Sequence, residues 1–181
     1  MEIEEFSNLF SKFAEDYNLK LNENIISNFY QYMNLLIEWN EKINLTAITD
    51  PKEIIIKHFI DSLTIAGKIK DNSSIIDVGT GAGFPGIPLK IYNETLDVTL
   101  LDSLNKRTIF LQEVVNKLNL KNIKIIHGRA EDLARDKQYR EKYDYSVSRA
   151  VAPLNVLVEY LTPYVKVGGS VIAMKGKDNI V

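Results

Sequence analysis

Cysteine is absent from the 181 residues, so this chain has no disulfide, no thiolate metal ligand and no cysteine nucleophile. Histidine occurs only twice, at His58 and His127, and tryptophan once, at Trp39. No ligand-like spacing surrounds either imidazole, so a metal site is not expected. A surplus of one charge is missing too: 22 Lys and Arg stand against 24 Asp and Glu, a net −2. That excludes a polycation gripping nucleic acid indiscriminately and confines any such contact to a local patch. No apolar run approaches the roughly 18 residues of a membrane helix, and Met-Glu-Ile-Glu-Glu carries the wrong charge for a secretory leader. The chain therefore reads as cytoplasmic, with the Asn-X-Ser/Thr triplets at Asn44, Asn72 and Asn93 as chance matches. What remains, 45% hydrophobic and 25% charged residues, is ordinary for one good-sized core with a small addition.

The texture of the chain changes near residue 72. Before it, Ile3, Phe6, Leu9, Phe10, Phe13 and Tyr17 recur at helical spacing. A second helix is predicted after Asn22, a cap for the face of Ile25, Ile26, Phe29, Met33, Leu36 and Ile37. A third starts at Asp50-Pro51, with Ile55, Phe59 and Leu63 every four residues until Gly67 offers a stop. After Asn72, short β-rich runs alternate with helical ones: Ser74 to Val78, Asp97 to Asp102, Ile123 to His127, Tyr143 to Ser148 and Ser170 to Met174. Alternation of this kind predicts right-handed βαβ units, a parallel sheet covered on both faces, and ligands at the carboxyl ends of the strands. The expected division is a helical extension over 1–72 and an α/β core over 73–181. The mixed charges from Glu131 to Lys142 read as a solvated helix or loop.

The first strand runs into Asp77-Val78-Gly79-Thr80-Gly81-Ala82-Gly83-Phe84. Glycine at 79, 81 and 83 permits a tight turn with positive φ against which a ligand can lie. A carboxylate at the lip, Asp77, opposes a phosphate and suits a cation. A nucleoside ligand carrying an ammonium and a sulfonium but no phosphate is S-adenosylmethionine. The dinucleotide fingerprint G-x-G-x-x-G would place glycine where Phe84 stands, which weighs against the alternative of an NAD-dependent oxidoreductase.

Asp102 ends the second strand, where an acid binds the adjacent hydroxyls of an adenosine ribose; its alternative role is a helix cap from Ser103 onward. Gly128-Arg129-Ala130-Glu131 follows the third strand, where backbone N–H groups and a carboxylate would read an adenine edge, or form an ordinary helix start. Arg149 follows the fourth strand, at the reactive end, as a positioning candidate for O6 of a guanine or a phosphate, or else as the partner of a surface acid. No Asp/Asn-Pro-Pro-aromatic motif for exocyclic amines occurs, and the lack of cysteine excludes covalent methylation at pyrimidine C5. Guanine N7 needs no proton removed, so alignment is the main demand. Lys106 and Arg107, joined by Lys57, Lys175 and Lys177, form a candidate basic rim for phosphates.

Together these residues resemble the bacterial ribosomal RNA small-subunit methyltransferase G family, also called glucose-inhibited division protein B. The likeness runs through Trp39-Asn40, Asn44-Leu45-Thr46-Ala47, His58 with Asp61-Ser62-Leu63, and Asp77 through Gly86. It continues in Leu101-Asp102-Ser103 with Lys106-Arg107, in Gly128-Arg129-Ala130-Glu131, in Ser148-Arg149-Ala150 and in Lys175-Gly176. The resemblance implies a Rossmann-like S-adenosylmethionine-dependent fold, mostly parallel, of strand order 3-2-1-4-5. It implies methyl transfer to N7 of one guanine in the 530 loop of 16S ribosomal RNA, and the expected partner is that RNA, naked or in a small ribosomal subunit; the protein is expected to act as a monomer without a metal. By motif, Gly79, Phe84, the Ala130-Glu131 pair and Arg149 line the donor pocket, with Asp102 beside the ribose; Asp77, Gly81, Gly83 and Ser103 are further cofactor-binding candidates. Lys106 and Arg107 face RNA. The family continues past the Lys-Gly segment through a helix and two strands, so the chain is expected to be C-terminally truncated, its fifth strand an edge. A non-catalytic S-adenosylmethionine-binding module is the alternative that this expectation raises.

Overall fold

A computed structural model describes residues 1–149 and 152–174 of the chain. Five strands, β1 (Ser74–Val78), β2 (Asp97–Asp102), β3 (Ile123–His127), β4 (Tyr143–Arg149) and β5 (Val165–Met174), form one sheet of order β3-β2-β1-β4-β5. Every pairing in it is parallel. β1 and β2 read as unbroken apolar runs because both of their faces are covered; all but the first residue of each is buried. β3 and β5 are the edges, and their half-exposed burial follows from that position. The fifth strand starts at Val165, five residues before the expected Ser170, and the Gly168-Gly169 pair lies within it.

The three predicted helical segments precede the sheet, followed by a short 3-10 turn, Ala66–Lys68, where Gly67 was expected to stop the third. α1 (Ile3–Glu15) buries Phe6, Phe10 and Ala14 on one stripe. α2 (Glu23–Asn40) begins at Asn22, whose side chain accepts from the Ile25 N–H at 2.8 Å. Asp50 caps the third segment by accepting from the Glu53 N–H at 2.9 Å, with Pro51 in the first turn. The expected single α-helix is here interrupted: α3 (Pro51–Ile54) passes into a π-helical stretch, Ile55–Ile60, before α4 (Asp61–Leu63) resumes. The wider turn buries Ile55, His58, Phe59 and Ile60 together, more than a four-residue repeat allows on one face.

The sheet's crossovers are α5 (Gly86–Tyr92), α6 (Asn105–Lys117), α7 (Ala130–Leu133) and α8 (Leu154–Leu161). One apolar core joins Phe6, Phe10, Phe29 and Phe59 of the helical region to Ile75, Val98 and Val147 of the sheet. A second, smaller core under α8 holds Leu157, Leu161 and Tyr164 against Ile76 and Val78. The first core contains a chain of aromatic rings leading toward the sheet's carboxyl edge. Phe10 meets Phe29 at 4.8 Å, Phe29 meets Phe59 at 4.9 Å, and Tyr32 stacks on Phe59 and meets Phe84, each at 5.5 Å. No helix among the described residues is long and apolar enough to cross a membrane.

Candidate functional site

The turn after β1 is built from three glycines in the left-handed region, with φ 69° at Gly79, 62° at Gly81 and 101° at Gly83. Their surroundings separate their roles. A Cβ at Gly83 would lie 2.6 Å from Ile87 Cδ1 and 2.7 Å from the Tyr32 hydroxyl, so packing excludes a side chain. A Cβ at Gly81 would meet nothing within 4 Å. Gly81 is thus the point at which bare backbone borders open space.

Asp77 does not stand at the lip of the turn as the sequence suggested. It is 0% exposed, and its Oδ2 accepts from Thr80 Oγ1 at 2.7 Å and from the Gly86 N–H at 2.7 Å. The carboxylate therefore ties the turn to the start of α5, where backbone N–H groups lack helical partners. Burial pushes its pKa up to about 6, against the opposing pull of the Thr80 and Gly86 hydrogen bonds and the Arg149 charge. Its second oxygen, Oδ1, is buried with no partner among the described residues.

Asp102, 3% exposed, takes the helix-entry role anticipated for it and also holds the glycine turn. Its Oδ1 accepts from the Leu104 N–H at 2.9 Å, the helix-entry contact, while Oδ2 accepts from the Gly81 N–H at 2.8 Å. The Gly79 and Thr80 N–H groups donate to Leu101 O at 2.8 and 3.0 Å, so the turn hangs from the end of β2. A cleft of about 290 Å³ opens here, lined among others by Gly79, Asp102, Ser103, Ala130 and Glu131. Five residues expected to share a pocket are thereby brought together beyond the carboxyl ends of β1, β2 and β3. Tyr160 of α8, which sequence reading missed, also lines it. Its hydroxyl is hydrogen-bonded to the Glu131 carboxylate, which raises the phenol's pKa.

Arg149 takes a more enclosed place. Its Nη1 donates to Lys57 O at 3.1 Å and to Asp61 Oδ2 at 3.0 Å, and its Nη2 lies 3.0 Å from His58 Nδ1. The guanidinium sits over the Phe84 ring, 4.9 Å from its centroid. His58 stacks on the same ring at 4.4 Å and 15° and reaches Thr46 Oγ1 with Nε2 at 2.8 Å. Burial, with the Arg149 charge second, lowers the His58 pKa to about 4. The alternative of an acid partner for Arg149 is therefore realised, in Asp61. His58 was not anticipated here; the only signal was its place in the family-like motif.

The basic rim divides. Lys106 is exposed near the start of α6. Arg107, expected to face RNA, turns back on Asp102, with Nη1 3.5 Å from Oδ2 and its Nε buried. The buried carboxylate attracts this cation, which the start of α6 places against it. Lys57 is paired with Glu53 at 2.6 Å. Lys175 and Lys177 lie outside the described residues. Among the described residues no group of three His, Asp or Glu side chains is arranged to hold a metal ion.

A parallel sheet in this order, with a glycine turn after its first strand and an acid closing its second, defines the Rossmann-like fold of the S-adenosylmethionine-dependent methyltransferase class. A solved SAM-dependent methyltransferase from Aquifex aeolicus is similar at TM-score 0.50 and 25% identity, over 72% of this chain and 67% of that one. Residues 25–180 match the family described as rRNA small subunit methyltransferase G, GidB. Ribosomal RNA small subunit methyltransferase G of Thermoanaerobacter sp. is 56% identical over 167 residues, 91% of this chain and 70% of that protein. Its namesake in Acetivibrio thermocellus is 58% identical over 164 residues, 90% of this chain and 68% of that protein. The chain belongs to the rRNA small subunit methyltransferase G family.

Proposed function

We propose that this protein transfers a methyl group from S-adenosylmethionine to N7 of a guanine in the 530 loop of 16S ribosomal RNA. The observation that carries the reading is the cleft lined by Gly79 and Asp102, whose carboxylate also holds the open backbone at Gly81, inside a family whose members are named for this ribosomal subunit. The residues fit the donor. Gly79 lines the cleft and Gly81 beside it has open space where a side chain would stand, Asp102 and Ser103 offer polar groups to a ribose, and Ala130 with Glu131 borders the place for a base. The buried, unpartnered Asp77 Oδ1 supplies negative potential beneath a cationic ligand. When bound, S-adenosylmethionine supplies an electrophilic methyl group on a sulfonium.

Guanine N7 presents a lone pair and no proton, so the chain needs no general base and its task is alignment. Arg149 and Phe84 border the mouth of the turn, and Lys106 offers a phosphate contact that positions RNA without reading its sequence. The test uses small ribosomal subunits lacking the modification, incubated with the protein and labelled S-adenosylmethionine. Strand cleavage specific for N7-methylguanine is expected at a single guanine of the 530 loop. Label in another base, or none despite measured donor binding, would refute the assignment.

A further inference from the structure

Arg149 can only donate hydrogen bonds, since a guanidinium has five N–H groups and no acceptor. The 3.0 Å contact between its Nη2 and His58 Nδ1 therefore requires Nδ1 to be unprotonated. His58 is then neutral and carries its proton on Nε2, which donates to Thr46 Oγ1 at 2.8 Å. Thr46 is itself fixed: its Oγ1 accepts from the Ile48 N–H at 3.0 Å, and its backbone N–H and carbonyl are both bonded to the Asn40 side chain at 3.0 Å. Opposite His58, Asp61 and the Lys57 carbonyl hold the other guanidinium nitrogen. Three of the five N–H groups are thereby directed by elements of the helical region, 88 to 92 residues earlier in the chain.

This arrangement is more than packing. A side chain needed only to cover Phe84 would require an aromatic face and no acceptor. The structure instead provides one imidazole that stacks on Phe84 and also presents a lone pair to the cation above that ring. A protonated imidazole would set two cations 3.0 Å apart and break the contact. The groups facing His58 from the elements packed around it are Arg149 of β4, Thr46 of the preceding loop and Phe84 of the glycine turn, with Asp61 reaching it through Arg149; the Lys57 backbone also faces the ring and favours its proton, against the larger effects of burial and Arg149.

We propose that His58 is a positioning residue: as a neutral imidazole anchored by Thr46, it fixes the Arg149 guanidinium over Phe84 at the mouth of the glycine turn, so that the incoming guanine meets it in one orientation. The proposal rests on the methyl-transfer reading given above, because it assigns Arg149 a place beside the reacting groups. In this role His58 acts through Arg149, the residue its Nδ1 meets.

Two substitutions separate this role from a structural one. His58→Phe keeps the ring on Phe84 and removes the acceptor, whereas His58→Asn loses the ring but places an oxygen near the Nδ1 position. Fixation of Arg149 predicts that His58→Phe lowers kcat about tenfold or more, with little change in the donor Kd measured by calorimetry, and that His58→Asn recovers most of that loss. The opposite order, Phe active and Asn impaired, overturns the proposal and leaves His58 as packing. A second arm is independent of turnover: imidazole 15N shifts of the full chain, assigned by comparison with His127→Asn, are expected to show Nε2–H with bare Nδ1 at neutral pH. An Nδ1–H tautomer or an imidazolium overturns the clamp even if catalysis is normal. If the wild-type chain methylates no guanine, the functional reading fails, and the tautomer still decides whether the clamp exists.

Discussion

At the scale of single residues, the site concentrates acids and bases whose environments oppose one another. Burial pushes the Asp77 carboxyl from 3.8 up to about 6, and burial beside Arg149 pulls His58 from 6.5 down to about 4. The folded protein holds the Asp77 proton more tightly than the unfolded chain, so that contribution is complete below 3.8 and lost as pH rises through about 6. His58 resists its proton, so its contribution is complete above 6.5 and lost as pH falls through about 4. Across the shared window the two slopes have opposite sign, each roughly 1.4 kcal/mol per pH unit. The ligand-free protein is expected to show nearly flat stability there in urea titrations. His58→Asn should make stability rise as pH falls, and Asp77→Asn should make it fall; parallel curves for the two variants would refute the opposition. The neighbouring basic pair divides in the same way. Lys106→Ala should reduce the salt slope of RNA binding by about 0.7 to 0.9 with donor affinity unchanged. Arg107→Ala should lower donor affinity instead, because Asp102 loses the cation at 3.5 Å that restrains its carboxylate.

At the scale of elements, α2 is the least obvious participant in the site. Tyr32 is buried at its centre, and its hydroxyl donates to Ala82 O inside the glycine turn. Tyr32→Phe leaves that carbonyl without a partner and should destabilise the protein by about 1–3 kcal/mol. Amide exchange over residues 79–86 should speed up more than exchange in β2, and donor affinity should fall with it. Equal exchange in both would mean that the turn holds its shape without α2. Strands β1 to β3 were legible to the residue, since β-branched runs ending at glycine, asparagine or aspartate have few alternative readings. The caps at Asn22 and Asp50 were legible for the same local reason. The π-helical stretch was not, because Ile55, Phe59 and Leu63 satisfy a four-residue repeat in either geometry. Tyr32 with Ala82, 50 residues apart, and His58 with Arg149, 91 apart, leave no trace in local spacing. The residues along the cleft floor were legible because glycine and acid positions follow the strands directly; the directions of Asp77 and Arg107 were not, because burial decides them.

At the scale of the whole molecule, the question is whether the helical stretch over 1–72 is an appendage or part of the folding unit. Phe6 and Phe10 of α1 are fully buried in the same core as Ile75 and Val98 of the sheet, and the aromatic contacts continue to Phe84 beside the glycine turn. Removing a buried phenylalanine costs about 3–5 kcal/mol. Losing both with α1 would therefore cost about 6–10 kcal/mol, comparable to the roughly 5–15 kcal/mol that holds a domain folded. A chain lacking residues 1–21 is accordingly expected to give no cooperative thermal transition in calorimetry and no saturable binding of S-adenosylhomocysteine. Phe10→Ala should stay folded at low temperature, melt well below wild type, and bind the ligand with near-normal affinity while folded, because Phe10 lies in the core and lines none of the cleft. A shortened chain that melts cooperatively and binds normally would show that α1 is an addition to a unit that folds without it. Loss of both properties would make the helical region a structural condition of the donor site, since the rings that bury the core also set Phe84 beneath His58 and Arg149.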